Sequence, residues 1–340
     1  MIPRVPPSPI SSSSVRMSDV ARAAGVSLVT VSRVVNEPER VKPDTLRAVR
    51  SAIEQLGYVP NLMAGSLASK RSRIVAAIVP TISNLVFSET IEALTRTLAD
   101  GGYQLLLGQS GYRAGDEAAL VDTFLGRRVD GLVLTGEGQP PALRDKLRRA
   151  GLPVVQTWEL GGEAIDMQVG FSNHDAGRAA AEHLIARGHR ALAFIGAQEA
   201  RSQQRLAGFR AAAAEHGVSD VPAELIRPPA LIDDAGPRLA QIVAQRPEVT
   251  AVFCNNDLLA AGVLFECRQH GWDVPGRMAV LGFGDLAIAR AASPRLSTVQ
   301  IRRAEIGERA GQMLLARLSG ENQGARTVDI GFEVIARAST

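Results

Sequence analysis

Two sets of residues in this chain combine side chains that could do chemistry. The first is compact. Ser27, Leu28, Val29, Thr30, Ser32 and Arg33 put hydroxyls, two apolar side chains and a guanidinium into one short stretch, a mixture suited to phosphate oxygens, thymine methyls and guanine edges. The second set is dispersed. Thr81, Thr135, Trp158, Arg201, Arg205, the run Asn255-Asn256-Asp257 and Asp285 each stand at or beyond the end of an apolar run. Where such runs are parallel strands, ligands bind at their carboxyl ends. Taken singly, each of these residues fits a solvated loop equally well; as a set they mark a ligand cleft.

Catalytic and cofactor patterns are missing from the sequence. The GEG at 136 to 138 lacks the third glycine and the strand-turn-helix context of a dinucleotide site, and there is no Walker motif or GxSxG. His174, His183, His189, His216 and His270 show neither metal-ligand spacing nor a paired carboxylate. Cys254 and Cys267 are the only cysteines, without histidines at zinc spacing, so buried reduced thiols are expected.

The elements that must position the first set are helices. Ser18 is expected to N-cap a helix reaching Ala24, with Val20, Ala21 and Ala24 as its apolar stripe and Gly25 as a tight turn. Ser27 caps a second helix, in which Val31, Val34 and Val35 recur at three- and four-residue spacing and leave Leu28, Val29, Thr30 and Arg33 pointing elsewhere. That is a helix-turn-helix, with an ordinary helical hairpin as the alternative. After a loop containing Pro38, Pro43 opens a third helix with Leu46, Val49, Ile53 and Leu56 on one face, and Gly57 stops it. Residues 61 to 69, NLMAGSLAS, are too short for a stable isolated helix. They need a partner, either a symmetry mate or the DNA minor groove; a plain linker is the alternative.

From Ile74 onward, apolar strand runs alternate with amphipathic helices. Buried parallel strands are expected at 74–79, 104–107, 131–134 and 154–157, with helices near 86–100, 115–126 and 141–150. The rhythm restarts with helices at 176–187, 204–215, 235–246 and 257–270 and strands at 191–195, 251–254 and 278–282. Two doubly wound halves imply a cleft between them. Charge is distributed unevenly: residues 1 to 71 hold ten Lys and Arg against five Asp and Glu, and the remainder 28 against 30. A basic start on a slightly acidic body fits a small nucleic-acid reader tethered to something else. No run of about 18 apolar residues could span a bilayer, and residues 1 to 16 read as a disordered Pro- and Ser-rich tail.

On these residues the chain resembles the LacI/GalR family of bacterial transcription regulators, from Met17 to Thr340. The shared words are DVARAAGVSLVTVSRVVN, GYVPNLMAGSLAS, VDGLVLTG, ARGHRALAFIG, RLAGF, FCNNDLLAAG and the closing VIARAST. Phe87, YQLLLGQSGY, VGFSNHDAG and LFECRQHG are most similar to its gluconate-repressor branch. The resemblance implies an α/β protein with an N-terminal three-helix helix-turn-helix headpiece and a hinge helix. These precede a two-subdomain, periplasmic-binding-protein-like core of doubly wound parallel sheets. Expected boundaries are a tail at 1–16, a DNA-binding domain at 17–60, a hinge at 61–72 and a core at 73–340 that crosses between subdomains near 172, 300 and 328.

The same resemblance implies roles. Leu28, Val29 and Arg33 would read bases, while Thr30, Ser32 and Asn36, next to the Ser27 cap, would hold phosphates. Asn61, Ala64, Leu67 and Ala68 would form the DNA-bound hinge, with Leu67 as minor-groove wedge. The effector site would comprise Thr81, Phe87, Thr135, Trp158, Arg201, Arg205, Asn256, Asp285 and Arg303. Arg201, Arg205 and Arg303 form an uncompensated positive cluster in this reading, which calls for a carboxylate; the alternative is that one or two of them form surface ion pairs. Gly284, where sugar-binding relatives often carry an acid, fits the same ligand, and Asn256 and Asp285 remain for hydroxyls. Two further departures are Gly65, which raises the cost of a hinge helix by up to about 1 kcal/mol relative to Ala, and Ala338, which replaces a frequent glutamate beside the retained Arg337. The expected protein is a cytoplasmic homodimeric repressor of a palindromic operator, without cofactor, metal, membrane partner or catalysis, released by a gluconate-type sugar acid. Alternatives are 2-ketogluconate, a phosphorylated sugar acid or a neutral sugar as effector, and a solute-binding receptor as function class.

Overall fold

A computed structural model describes residues 15–59, 71–82, 85–112, 115–136, 138–321 and 326–340. The chain forms two compact units that divide between Ser72 and Arg73.

The first unit contains α1 (Met17–Ala24), α2 (Leu28–Asn36) and α3 (Pro43–Leu56). Ser18 lies inside α1 and is not its cap. Arg16 holds that position, its amide donating 2.9 Å to the Asp19 carboxylate, because an acid at the third helical position reaches back to the cap. Gly25 adopts φ 66°, a left-handed turn that ends α1 and lets α2 start three residues later. The core comprises Val20, Ala21, Val31, Val34, Val49, Ala52 and Tyr58. Leu56, expected on the buried face, is exposed. It sits in the last turn of α3, where Ala52 and Tyr58 close the small core instead.

The second unit is built on two six-stranded sheets. The first holds β1 (Ile74–Val79), β2 (Gln104–Gln109), β3 (Gly131–Thr135), β4 (Val154–Thr157), β5 (Met167–Gly170) and β11 (Thr327–Asp329), in the order β2-β1-β3-β4-β5-β11. The second holds β6 (Leu192–Ala197), β7 (Ala223–Ile226), β8 (Ala251–Cys254), β9 (Ala279–Gly284), β10 (Ser297–Gln300) and β12 (Glu333–Ile335), in the order β7-β6-β8-β9-β10-β12. The two orders match strand for strand, and every pairing is parallel except β10 with β12. The chain passes between the sheets after β5, after β10 and after β11.

Five strands, β5, β7, β10, β11 and β12, escape the sequence pattern because each is short and its apolar residues are interrupted by polar ones. β2 is expected to be buried, yet Gln104 and Leu107 are exposed because β2 is an edge strand. The helices are α4 (Ser88–Asp100), α5 (Asp116–Gly126), α6 (Pro141–Ala150), α7 (Asn173–Ala186), α8 (Ala200–Glu215), α9 (Ala235–Gln245), α10 (Asp257–Gln269), α11 (Ala287–Ala291) and α12 (Arg303–Ser319). α7 and α8 begin about a turn earlier than their apolar periodicity indicates, because polar first turns, capped at Ser172 for α7, carry no such signal.

The first two passages each feed a helix packed backbone to backbone on the first helix of the lobe it enters, whereas the third leads directly into β12. A Cβ on Gly177 of α7 would lie 2.0 Å from the carbonyl oxygen of Arg205 on α8, and one on Gly208 would lie 1.9 Å from that of His174. No side chain fits there.

Candidate nucleic-acid interface and ligand cleft

In the first unit, the cap fixes the presentation of α2. Ser27 Oγ accepts the Thr30 amide at 3.1 Å and lies 2.9 Å from the Thr30 hydroxyl. Burying Val31 and Val34 turns the opposite side of the helix outward, so Leu28 and Val29 are 52% and 65% exposed. Two exposed aliphatic side chains in one helical turn have no core to serve; they suit contact with base edges. Arg33 is exposed one turn further on. Ser32 and Asn36 are linked, Asn36 Nδ2 donating 2.9 Å to the Ser32 carbonyl and 3.3 Å to its hydroxyl. Asn61, Ala64, Leu67 and Ala68 lie outside the described residues.

In the second unit, the strand ends of the two lobes face a shared aromatic seam. Phe87, just before α4, meets Trp158 edge-on at 5.0 Å; Trp158 meets Phe171 at 6.3 Å, and Phe171 meets Phe283 at 6.0 Å. Trp158 and Asp285 follow β4 and β9 with φ of 73° and 51°. A non-glycine residue in the left-handed region is strained and persists where its surroundings fix it. Two such residues at the ends of topologically matched strands mark these ends as the functional edge.

The arginines join this seam from the other lobe. Arg201 lies over the Phe87 ring at 5.3 Å and pairs with Glu199 at 3.2 Å. Arg205 lies 3.7 Å over Phe283. Its Nε donates 2.9 Å to Asn173 Oδ1, and its Nη1 donates to the carbonyl and side-chain oxygens of Asn255. Asn173 in turn donates 3.1 Å to the Trp158 carbonyl, so one buried amide ties the arginine to the opposite lobe. Burial lowers the Arg205 guanidinium to about 9, opposed through space by Glu199 and Glu159 and reinforced by Arg201; it stays charged at neutral pH. Arg303, at the start of α12, pairs with Glu89 at 2.7 Å, while Thr90 donates 2.8 Å to its carbonyl.

Several expectations need correction. The three arginines are not an uncompensated cluster: Arg201 and Arg303 have carboxylate partners, and only Arg205 is held by neutral oxygens alone among the described residues. Asp285 is not left for hydroxyls, since its carboxylate accepts from Arg337 at 2.7 Å, Gln300 at 2.9 Å and Arg290 at 3.2 Å. Asn256 is committed to capping α10, accepting the Leu259 amide at 2.9 Å; its neighbour Asn255 meets the arginine. Thr135 donates to the Ile78 carbonyl at 3.0 Å and, with Phe87 and Trp158, borders a cavity of about 10 Å³. Thr81 is buried just past β1.

Sequence reasoning missed Asn173, Asn255 as an arginine partner, Phe283 and Glu159. The signal available for Asn173 was its place beside Ser172, at a passage between lobes. Asp257 is a supporting group: it accepts from the Leu286 amide and the Thr298 hydroxyl, each at 2.6 Å, and so holds the turn that carries Asp285. Burial pushes its carboxyl up to about 6, against those two hydrogen bonds.

The site can therefore hold an acceptor-rich molecule. Among the described residues, Nε and Nη1 of Arg303, Nε1 of Trp158 and Oγ of Ser202 are buried without a hydrogen-bond partner, and a buried donor left unsatisfied costs about 1–3 kcal/mol. An open groove of about 410 Å³ reaches Arg303, Asp285, Glu89 and Gln300. No His, Cys, Asp or Glu group among the described residues has the geometry of a metal site, and no described helix is long and apolar enough to cross a membrane.

Comparison with known proteins agrees with both regions. Residues 16–61 match the bacterial regulatory proteins of the lacI family, and residues 181–340 match a periplasmic binding protein-like domain. A Pseudomonas aeruginosa protein named HTH-type transcriptional regulator GntR is 40% identical over 326 residues, covering 95% of each chain. Its Escherichia coli namesake is 33% identical, over 93% of this chain and 96% of its own. A solved structure of a LacI-family transcriptional regulator from Silicibacter pomeroyi superposes with a TM-score of 0.89 at 29% identity, covering 96% of this chain and 99% of that one. The transcription regulator GntR from Chromobacterium violaceum gives 0.75 at 37% identity, over 78% of this chain and 98% of its own. The chain is a helix-turn-helix transcriptional regulator and belongs to the LacI family of bacterial regulatory proteins.

Proposed function

We propose that this regulator is a repressor that holds a palindromic operator as a homodimer and releases it when a sugar acid of the gluconate type enters the cleft. The observation that carries the effector assignment is Arg205, a buried guanidinium with no carboxylate partner among the described residues, in the same unit as the orphaned donors of Arg303 and Trp158. A ligand carboxylate supplies the missing charge, and hydroxyl oxygens answer the neutral donors. Thr81, Phe87, Thr135, Trp158, Arg201, Arg205, Asn256, Asp285 and Arg303 remain the proposed effector set, with Asn256 and Asp285 as supports. Thermal-shift and calorimetric titration with gluconate, 2-ketogluconate, 6-phosphogluconate and glucose tests the assignment. Gluconate is expected to bind and to release operator DNA; preference for glucose would overturn it.

Ser27, Leu28, Val29, Thr30, Ser32, Arg33 and Asn36 form the proposed operator face, with Asn61, Ala64, Leu67 and Ala68 of the proposed hinge lying outside the described residues. Arg33→Ala is expected to cost about 1–3 kcal/mol of discrimination at one operator position, with far less loss on non-specific DNA. Competition gel shifts read this directly. Equal losses on both DNAs would reduce Arg33 to a phosphate contact.

One small headpiece makes too few contacts for specific affinity, so two must act together. The dimer face we propose follows the edge strands β2 and β7, which occupy the same place in their sheets. Exposed apolar side chains lie on both edges, Leu107 on β2 and Leu225 on β7, and Leu231 and Phe265 are exposed in the same lobe as β7. Phe265→Asp is expected to yield a monomer in sedimentation equilibrium and to lose operator affinity. A wild-type monomer at micromolar concentration would remove this reading. Regulation by ligand, without turnover of it, is the expected behaviour.

A further inference from the structure

The first two passages between the lobes are built alike. Asn173 is the third residue beyond β5 and opens α7; Arg303 is the third residue beyond β10 and opens α12. Four residues further along each helix stands a glycine, Gly177 or Gly307. A Cβ on either would lie 2.0 Å from a carbonyl oxygen of the helix beneath, that of Arg205 on α8 or Thr90 on α4. Each helix is thus seated on its own lobe in the same way. Its first side chain then reaches back to the lobe that the chain has just left. Asn173 Nδ2 donates 3.1 Å to the carbonyl of Trp158, and Arg303 Nη2 donates 3.4 Å to the carbonyl of Asp285. These two acceptors are the strained residues that directly follow β4 and β9, strands with the same place in their sheets.

The two contacts differ in strength. Asn173 is held from both sides, since its Oδ1 also accepts Arg205 Nε at 2.9 Å. The Arg303 contact lies at the long end of the hydrogen-bond range, shares Nη2 with Glu89 at 2.7 Å, and leaves Nε and Nη1 without a partner among the described residues. The open groove of about 410 Å³ is lined by Arg303 and Asp285 themselves. We propose that Asn173 and Arg303 are matched latches between the lobes and that the second is the releasable one, so that the lobes pivot at Asn173 and part at Arg303. Buried unsatisfied donors raise the energy of the latched state, and a movement that gives them water or ligand oxygens relieves it. Glu89, half exposed, can be solvated when the arginine leaves. The same movement at Asn173 would orphan Arg205 Nε and the Trp158 carbonyl together. Neither latch depends on what the effector is.

The test uses the full-length protein without ligand and two pairs of spin labels, one pair spanning each passage from exposed helix positions. Labels go on introduced cysteines, because Cys254 and Cys267 are buried, and dilution with unlabelled protein leaves only distances within one chain. In wild type the pair across the second passage is expected to show the broader distance distribution. Arg303→Met should lengthen that distance by more than about 2 Å and leave the pair across the first passage unchanged. Arg303→Lys, which keeps one donor for the Asp285 carbonyl, should bring it back. Asn173→Leu should instead disturb the first pair and lower the melting temperature by about 3 °C, since it orphans two buried groups. Arg303→Met removes donors that are already unsatisfied and should melt close to wild type. A second-passage distance that Arg303→Met leaves unchanged, or that lengthens no more than the first, would overturn the proposal. So would a wild type whose first passage is the broader of the two, a comparison that needs no variant to fold.

Discussion

Arg205→Ala is expected to weaken gluconate binding by about 100-fold or more, which corresponds to about 3 kcal/mol for lost charge-assisted hydrogen bonds in a buried site. The side chain acts in three ways at once. Its plane lies on Phe283, its Nε fixes Asn173, and its Nη1 fixes Asn255, which leaves Nη2 for the ligand. Arg205→Lys is therefore not expected to rescue binding. A lysine keeps the charge but cannot hold two diverging oxygens and a ring face from one planar group. Operator affinity without ligand should persist in both variants, because the headpiece is a separate compact unit. Calorimetry paired with gel shifts separates these effects. Gluconate affinity close to wild type in Arg205→Ala, or full recovery in Arg205→Lys, would remove Arg205 from the site.

The headpiece was legible in the sequence because its signals are local. Val31 and Val34, the Ser27 cap and the Gly25 turn are set by neighbours within four residues, and the structure places them as their spacing indicates. The two sheets were legible as well, since strands such as β1 and β8 are continuous apolar runs. What remained hidden depends on distant partners. Nothing near Arg201 or Arg303 in sequence announces that Glu199 and Glu89 neutralise them, and Glu89 is 214 residues from Arg303. The apparent excess of positive charge in the cleft therefore came from counting arginines without their partners. Asp285 was misread for the same reason: Arg290, Gln300 and Arg337 converge on it from three separate elements. The short strands β5, β10 and β11 exist because the sheets already present a strand to pair with, which a short segment interrupted by polar residues does not encode alone.

The glycines that set the lobe geometry give the sharpest test of how fold and site are coupled. Gly177→Ala adds one methyl group, and that methyl would stand 2.0 Å from the carbonyl oxygen of Arg205. The obstacle is backbone, so no rotamer change relieves it; α7 and α8 must separate. Overpacking of this kind costs about 3 kcal/mol, which for a unit of this size lowers the unfolding temperature by about 5 °C. The residue struck is Arg205 itself, and its partner Asn173 lies one turn before Gly177 on α7. Gluconate affinity should therefore fall together with stability, although Gly177 touches no ligand. Gly126→Ala makes the same chemical change at a position where a Cβ meets nothing within 4 Å, and should change stability by less than about 1 kcal/mol. Differential scanning calorimetry and gluconate titration of the two variants check this. A Gly177→Ala protein that melts with wild type would show that the two helices yield without cost, and normal gluconate binding at lowered stability would show that Arg205 is positioned independently of the α7–α8 contact.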